Sequence, residues 1–186
     1  MAEYGLLEQL LPELSDFIED DKEEWAYRYL ETIDAMVKKF PEVRINRAIL
    51  LACLIFPIVD KQVMHLTSER DKPPHLGMIQ TIAKTHIDTA FNTFFQLSRK
   101  LKGELHFLIS WQYKLIPLNS KAKVQYRVPM SSDFVLALKF LNIRARLDES
   151  LVPLWKNWNM AYESVKSSIP KAKPRQRFRR PRRRRR

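Results

Sequence analysis

Apolar residues recur every three or four positions through most of this 186-residue chain, the spacing of helices with one buried face. Leu6, Leu7, Leu10, Leu11, Leu14, Phe17 and Ile18 give residues 3–19 such a face and predict one or two short helices broken near Pro12. Asp20 and Asp21 signal the start of the next helix, in which Trp25, Tyr29, Ile33, Met36, Val37 and Phe40 recur until Pro41 ends it. Asn46 is placed to cap a helix from about Arg47 to Leu66. The first half of that helix, AILLACLIFPIV, is apolar all round, as a central buried helix is, and Pro57 is expected to kink it. Residues 68–77 read as a loop. Between 78 and 101, Ile79, Ile82, Ala83, His86, Ile87, Ala90, Phe91, Phe94 and Leu101 predict a long helix that Gly103 breaks. A shorter helix follows from Glu104 to Ile116, then a basic loop over 117–130. Ser131 or Ser132 caps a helix reaching about Leu147, and Leu151 to Tyr162 form the last one. The fold expected is all-α: an irregular domain of about six to seven helices, with N-terminal helices over 1–44, a helical body over 45–166 and a disordered arginine-rich tail over 167–186.

Some side chains carry two readings. On a wheel of the helix 133–147, Lys139, Asn142 and Arg146 form a narrow polar stripe, and Arg144 lies opposite it beside Ala137, Phe140 and Leu141. An arginine on the core side needs a partner, either an internal acid or an RNA phosphate at a domain seam. Trp155 and Trp158 share a face, fit for the core or for stacking on bases. His86 on an apolar face reads as a satisfied core histidine, and Lys84 with Asp88 as an exposed i,i+4 pair. The four histidines have no metal-ligand spacing.

Composition narrows the class. Three glycines leave no glycine-rich phosphate loop and argue against a turn-rich β protein. The single cysteine, Cys53, forms no intramolecular disulfide, which fits a cytoplasmic setting. The acidic, amphipathic start lacks the features of a signal peptide, and the longest apolar run, 12 residues from Ala48 to Val59, is short for a bilayer. No helix pairs a basic face with an exposed apolar one, so a membrane partner is not expected.

Charge changes the picture most. The net charge is +12, yet residues 1–170 together contribute only +1. Residues 1–34 carry eleven acids against two bases, and residues 35–170 carry twenty bases against ten acids. The final 16 residues hold Lys171, Lys173, Arg175, Arg177, Arg179, Arg180, Arg182, Arg183, Arg184, Arg185 and Arg186, with no acid. Such a run repels itself and cannot fold alone, and Pro174 and Pro181 interrupt any helix. Arginine binds phosphate bidentately and stacks on exposed bases, so nucleic acid, and single-stranded RNA in particular, is the partner expected. In the body, Lys121, Lys123, Arg127, Arg144 and Arg146 are the candidate RNA contacts. For each except Arg144, a solvated surface charge is the ordinary alternative.

No catalytic constellation is legible. The chain lacks a P-loop, HExxH and GxSxG, and its acid clusters, Glu19-Asp20-Asp21 and Asp148-Glu149, fall at helix boundaries, where acids act as caps. Neither a catalytic residue nor a metal or cofactor is expected in this chain. The segments EYGLLEQLLPEL (3–14), INRAILLACLIFPIVD (45–60), DFVLALKFLNIRARLDE (133–149) and LWKNW (154–158), with the arginine-rich end, resemble the C-terminal half of bacterial poly(A) polymerases, in the class II tRNA nucleotidyltransferase superfamily. That resemblance implies a neck over 1–44 and a helical RNA-binding body behind a catalytic head. In the family the head uses Gly-Ser and Asp-x-Asp motifs, with ATP and magnesium, to transfer AMP to an RNA 3′ end. Neither motif occurs here, so the chain reads as a fragment, a split product or a stand-alone remnant, inactive alone and working with a separately encoded head. The alternative from a different class is a non-enzymatic helical module that binds nucleic acid through its tail.

Overall fold

The computed structural model describes residues 6–21, 24–42, 44–70, 72–91, 96–118 and 124–168. Among them it contains eight α-helices and no strand: α1 (Leu6–Leu10), α2 (Pro12–Asp20), α3 (Trp25–Lys39), α4 (Arg47–Arg70), α5 (Leu76–Ala90), α6 (Arg99–Leu115), α7 (Ser132–Leu147) and α8 (Val152–Ser168). The all-α expectation holds, with a finer division than six or seven helices.

Local chemistry sets most of the starts. Pro12 has no N–H to donate and opens α2 at its first turn. Asp21 Oδ2 accepts the Trp25 N–H at 2.7 Å, so α3 begins four residues later than the paired aspartates suggest. Asn46 Oδ1 accepts the Ala48 N–H at 2.7 Å before α4. His75 Nδ1 accepts the Met78 N–H at 3.0 Å, which starts α5 inside the stretch expected to be loop. Ser98 Oγ takes the Leu101 N–H at 3.3 Å for α6, and Ser131, not Ser132, takes the Phe134 N–H at 3.2 Å for α7. Asp148 accepts from the Ser150 N–H at 3.0 Å, leading through a short 3-10 turn, Glu149–Leu151, into α8.

The long helix expected over 78–101 is a correction. α5 ends at Ala90 and α6 starts at Arg99. Gly103 does not break α6 but lies within it, because the Ser98 cap and the burial of Leu105, Leu108 and Ile109 together outweigh the propensity cost of one glycine, about 1 kcal/mol. Phe94 lies outside the described residues. α4 continues to Arg70 and α8 to Ser168, past their expected ends at Leu66 and Tyr162. Val37 and Phe40, expected on the apolar face of α3, are exposed at 38 % and 41 %.

The main core joins α2 through α7. Ala48, Ala52, Cys53, Ile55, Phe56 and Val59 bury most of the first half of α4, although Leu50, in the run expected to be buried all round, is 37 % exposed. Leu14, Phe17, Tyr29 and Ile33 pack on it from the N-terminal helices, and Ile79, Ala83, Leu105, Leu108, Ile109 and Phe140 from the others. By length and a mean hydropathy of 1.7, α4 is apolar enough to cross a bilayer, but half of that window is buried inside this bundle. A second cluster, Leu115, Phe134, Ala137, Leu138, Leu141 and Trp158, fastens α8 to α6 and α7. Each fully buried Leu, Ile or Phe contributes roughly 1.5–3 kcal/mol of transfer free energy.

Two polar bonds pin helix pairs inside this packing. Fully buried Gln112 donates to the Ala137 carbonyl at 3.1 Å, tying α6 to α7. Trp158 Nε1 donates to the Leu115 carbonyl at 3.1 Å, tying α8 to α6. Trp158 is 2 % exposed and Trp155 packs partly buried against the same cluster, so this pair belongs to the core.

Candidate nucleic-acid interface

Among the described residues, the cations singled out in the body do not converge. Arg127 is exposed in the segment 124–131, which crosses α8 through a ring contact of Tyr126 with Trp158 at 4.8 Å. Arg146 is exposed near the end of α7, in an open groove with Glu149, Val152 and Pro153. Phe134, which Trp158 touches, stands twelve residues before Arg146 on α7, roughly 18 Å along the axis. Lys121, Lys123 and the tail cations from Lys171 to Arg186 lie outside the described residues.

Arg144 faces inward, as its position on the wheel requires. Its guanidinium lies over the Phe56 ring, 4.3 Å from the centroid, and its charge acts on the neighbouring Tyr29 hydroxyl. No described carboxylate comes within ion-pair distance, so a cation–π contact replaces the salt bridge expected there. Asp60 supplies charge to the same cluster and accepts the Tyr113 hydroxyl at 2.8 Å. Phe140 packs between, 5.8 Å from Tyr29 and 5.4 Å from Phe56. Four helices, α3, α4, α6 and α7, therefore meet on one aromatic and charged seam. Burial pushes the Tyr29 hydroxyl up to about 12, against the lowering effect of Arg144. Burial raises Tyr113 further, and the adjacent Asp60 carboxylate adds to the rise. Burial alone pushes the Cys53 thiol up to about 12.

His86 is satisfied, though half-buried: Nδ1 meets Glu13 of α2, and Nε2 meets Gln62 Oε1 of α4 at 2.6 Å. Asp88 pairs with Lys102 of α6 at 2.7 Å, not with Lys84, because α6 packs against α5 and brings an ammonium closer than its own helix does. Asp21 and Asp148 serve as caps. Among the described residues no three His, Cys, Asp or Glu side chains form a metal-holding group.

A different face collects cations, rings and an unpartnered polar atom. A cleft of about 420 Å³ opens between α5, α6 and the first turn of α7. Along α6 its lining runs Arg99 and Lys100, Gly103, Phe107, then Ser110 and Trp111, one face of the helix at spacings of three and four. Phe107 stacks on Trp111 with centroids 5.2 Å apart, and Trp111 is held edge-on by Phe134 at 5.4 Å. Lys114 lies 4.6 Å from the Trp111 centroid. Across the cleft His106 Nε2 donates to the Gln80 carbonyl at 3.0 Å, fixing α6 to α5. Ser110 is 2 % exposed, and its hydroxyl has no hydrogen-bond partner. Reading Gly103 as a helix break hid this stripe by dividing it between two elements. The interleaving of Lys100, Phe107, Trp111 and Lys114 was the available signal.

No family model matches this chain, and searches of the curated proteins and of the solved structures find no match.

Proposed function

We propose that this chain is an RNA-holding module, the C-terminal portion of a polynucleotide adenylyltransferase whose AMP-transfer motifs lie outside it. The observation that carries the reading is the charge division: eleven cations in the last 16 residues, attached to a body that is itself +10 over residues 35–170. Cationic arms raise the local concentration of a polyanion and bind it without sequence preference. A folded body then has to present the strand to whatever acts on it. The resemblance of segments 3–14, 45–60, 133–149 and 154–158 to poly(A) polymerases supports the identity of that action: transfer of AMP from ATP, with magnesium, to a single-stranded 3′ end. On this reading the head supplies the reaction and this chain supplies the grip, through Arg127, Arg146, Lys121, Lys123 and the tail. Arg144 acts differently, holding the helices of the seam together.

Incubation with labelled ATP, magnesium and an RNA oligonucleotide, beside a binding assay on the same RNA, tests the reading. Binding without incorporation is expected. Incorporation by this chain alone contradicts it, since it requires metal-binding carboxylates where the structure has helix caps. Absence of binding removes RNA as the partner. A stand-alone nucleic-acid-binding module differs in one respect: a nucleotidyltransferase head added in trans would not polyadenylate bound RNA any faster for its presence.

A further inference from the structure

We infer that the cleft between α5, α6 and the start of α7 is a docking site for one unpaired RNA nucleotide together with its neighbouring phosphate. The inference rests on the RNA-holding reading and names the place where the body grips the strand.

Three features of the cleft match three parts of a nucleotide. The first is aromatic. Among the described rings Phe107 contacts only Trp111, while Trp111 is locked by Phe107, Phe134 and Lys114. Phe107 is thus the outer member of a fixed stack, and a base laid on it extends that stack. Helical side chains lean toward the helix N-terminus, so the Phe107 ring leans over the turn that contains Gly103. A Cβ placed at Gly103 would meet nothing within 4 Å, so the space above that turn is open. The second feature is charge. Arg99 and Lys100 stand at the mouth, one turn before Gly103, and the Lys100 side chain is 87 % exposed even though it approaches Glu104 at 3.7 Å. They suit the phosphate of the adjoining nucleotide. The carboxylates of Glu104 and Asp133 also line the cleft, which disfavours a bare anion there and provides acceptors for a ribose hydroxyl or a base amino group. The third feature is the Ser110 hydroxyl, buried at the cleft wall with neither donor nor acceptor capacity used inside the fold. A buried polar atom without a partner is uncommon, and a base edge that displaces the side chains now covering this hydroxyl satisfies it. The volume of about 420 Å³ falls within the range of small-ligand sites, about 300–1,000 Å³.

The test uses the full chain and a fluorescein-labelled unstructured RNA decanucleotide, with anisotropy read across a salt series. Gly103→Leu fills the open space while improving helix propensity. It should raise Tm by about 2–3 °C and weaken RNA binding about tenfold. Ser110→Ala removes a hydroxyl that bonds nothing in the fold, so it should leave Tm unchanged or higher and weaken binding about threefold to fivefold. Ser110→Ala keeps the test independent of any folding effect of Gly103→Leu. The pair Arg99→Ala with Lys100→Ala should flatten the log–log salt slope by about 1.4, the value for two phosphate contacts on a single strand. If the wild-type chain binds RNA and these variants bind it with unchanged affinity and slope, the cleft is not the site and the RNA-holding reading survives. If the wild-type chain binds no RNA, both fall.

Discussion

Replacing Arg144 by Met separates a structural arginine from an RNA contact. The guanidinium lies 4.3 Å from the Phe56 centroid and acts on Tyr29, a residue only 5 % exposed. Met keeps the length and apolar contact of the stem but removes the charge. A partly desolvated cation–π contact contributes about 1 kcal/mol. The buried Tyr29 hydroxyl loses the charged neighbour that favours it, a cost of about 1–3 kcal/mol. Asp60 loses a positive charge from its cluster and keeps the Tyr113 hydroxyl. The combined loss expected is about 2–4 kcal/mol, or a Tm lowered by roughly 5–15 °C for a chain of this size. Urea melts followed by circular dichroism measure the loss, and RNA anisotropy on the same samples measures binding below the transition. Affinity should stay within about twofold, because the guanidinium is already engaged inside the fold. A stability change under about 0.5 kcal/mol with a large drop in affinity would refute the reasoning and make Arg144 a hand on phosphate.

Further outcomes follow from the same packing. Stability should fall at high pH: Cys53 and Tyr29 are raised from 9.0 and 10.0 to about 12, and Tyr113 is raised as well. The unfolded chain therefore loses these protons first, and the stabilisation present below about pH 9 is lost as pH rises through 12, at up to about 1.4 kcal/mol per pH unit per group. Urea melts at pH 8 and pH 11 should show a smaller loss in Tyr113→Phe than in the wild type, and equal losses would count against the seam. Arg146→Ala, at an exposed position, should change stability by less than about 0.5 kcal/mol, while lowering the RNA salt slope by about 0.7 if it meets a phosphate. Trp158→Phe should destabilise by about 1–3 kcal/mol, through cavity and lost Leu115 bond together, and thermal melts should show this whether or not RNA is present.

What was legible in the sequence was the local chemistry. Asn46 and Ser131 cap the helices they precede, Pro12 divides the first two, and AILLACLIFPIV is the buried centre. These depend on neighbours within a few residues. The misreadings have a common origin in contacts distant along the chain. Asp88 takes Lys102, fourteen residues away, where Lys84 on its own helix was expected. Arg144 finds a ring and a hydroxyl on α4 and α3, where charge counting alone suggested an acid. Val37 and Phe40 keep helical spacing but face solvent, since periodicity marks a face and not the extent of its cover. The cleft was missed for a different reason. A glycine read as punctuation is a helical residue without a side chain, and the space it leaves is visible only once α6 is continuous.

The central claim is that a basic helical body and its arginine-rich end hold RNA. The salt dependence of binding between the full chain and an unstructured RNA oligonucleotide tests it most directly. If all eleven tail cations met phosphates, the log–log slope would reach about −8, and a value between about −4 and −8 is expected. A slope shallower than about −2, or no binding at 50 mM salt, would contradict the claim and direct attention to a protein partner for the tail.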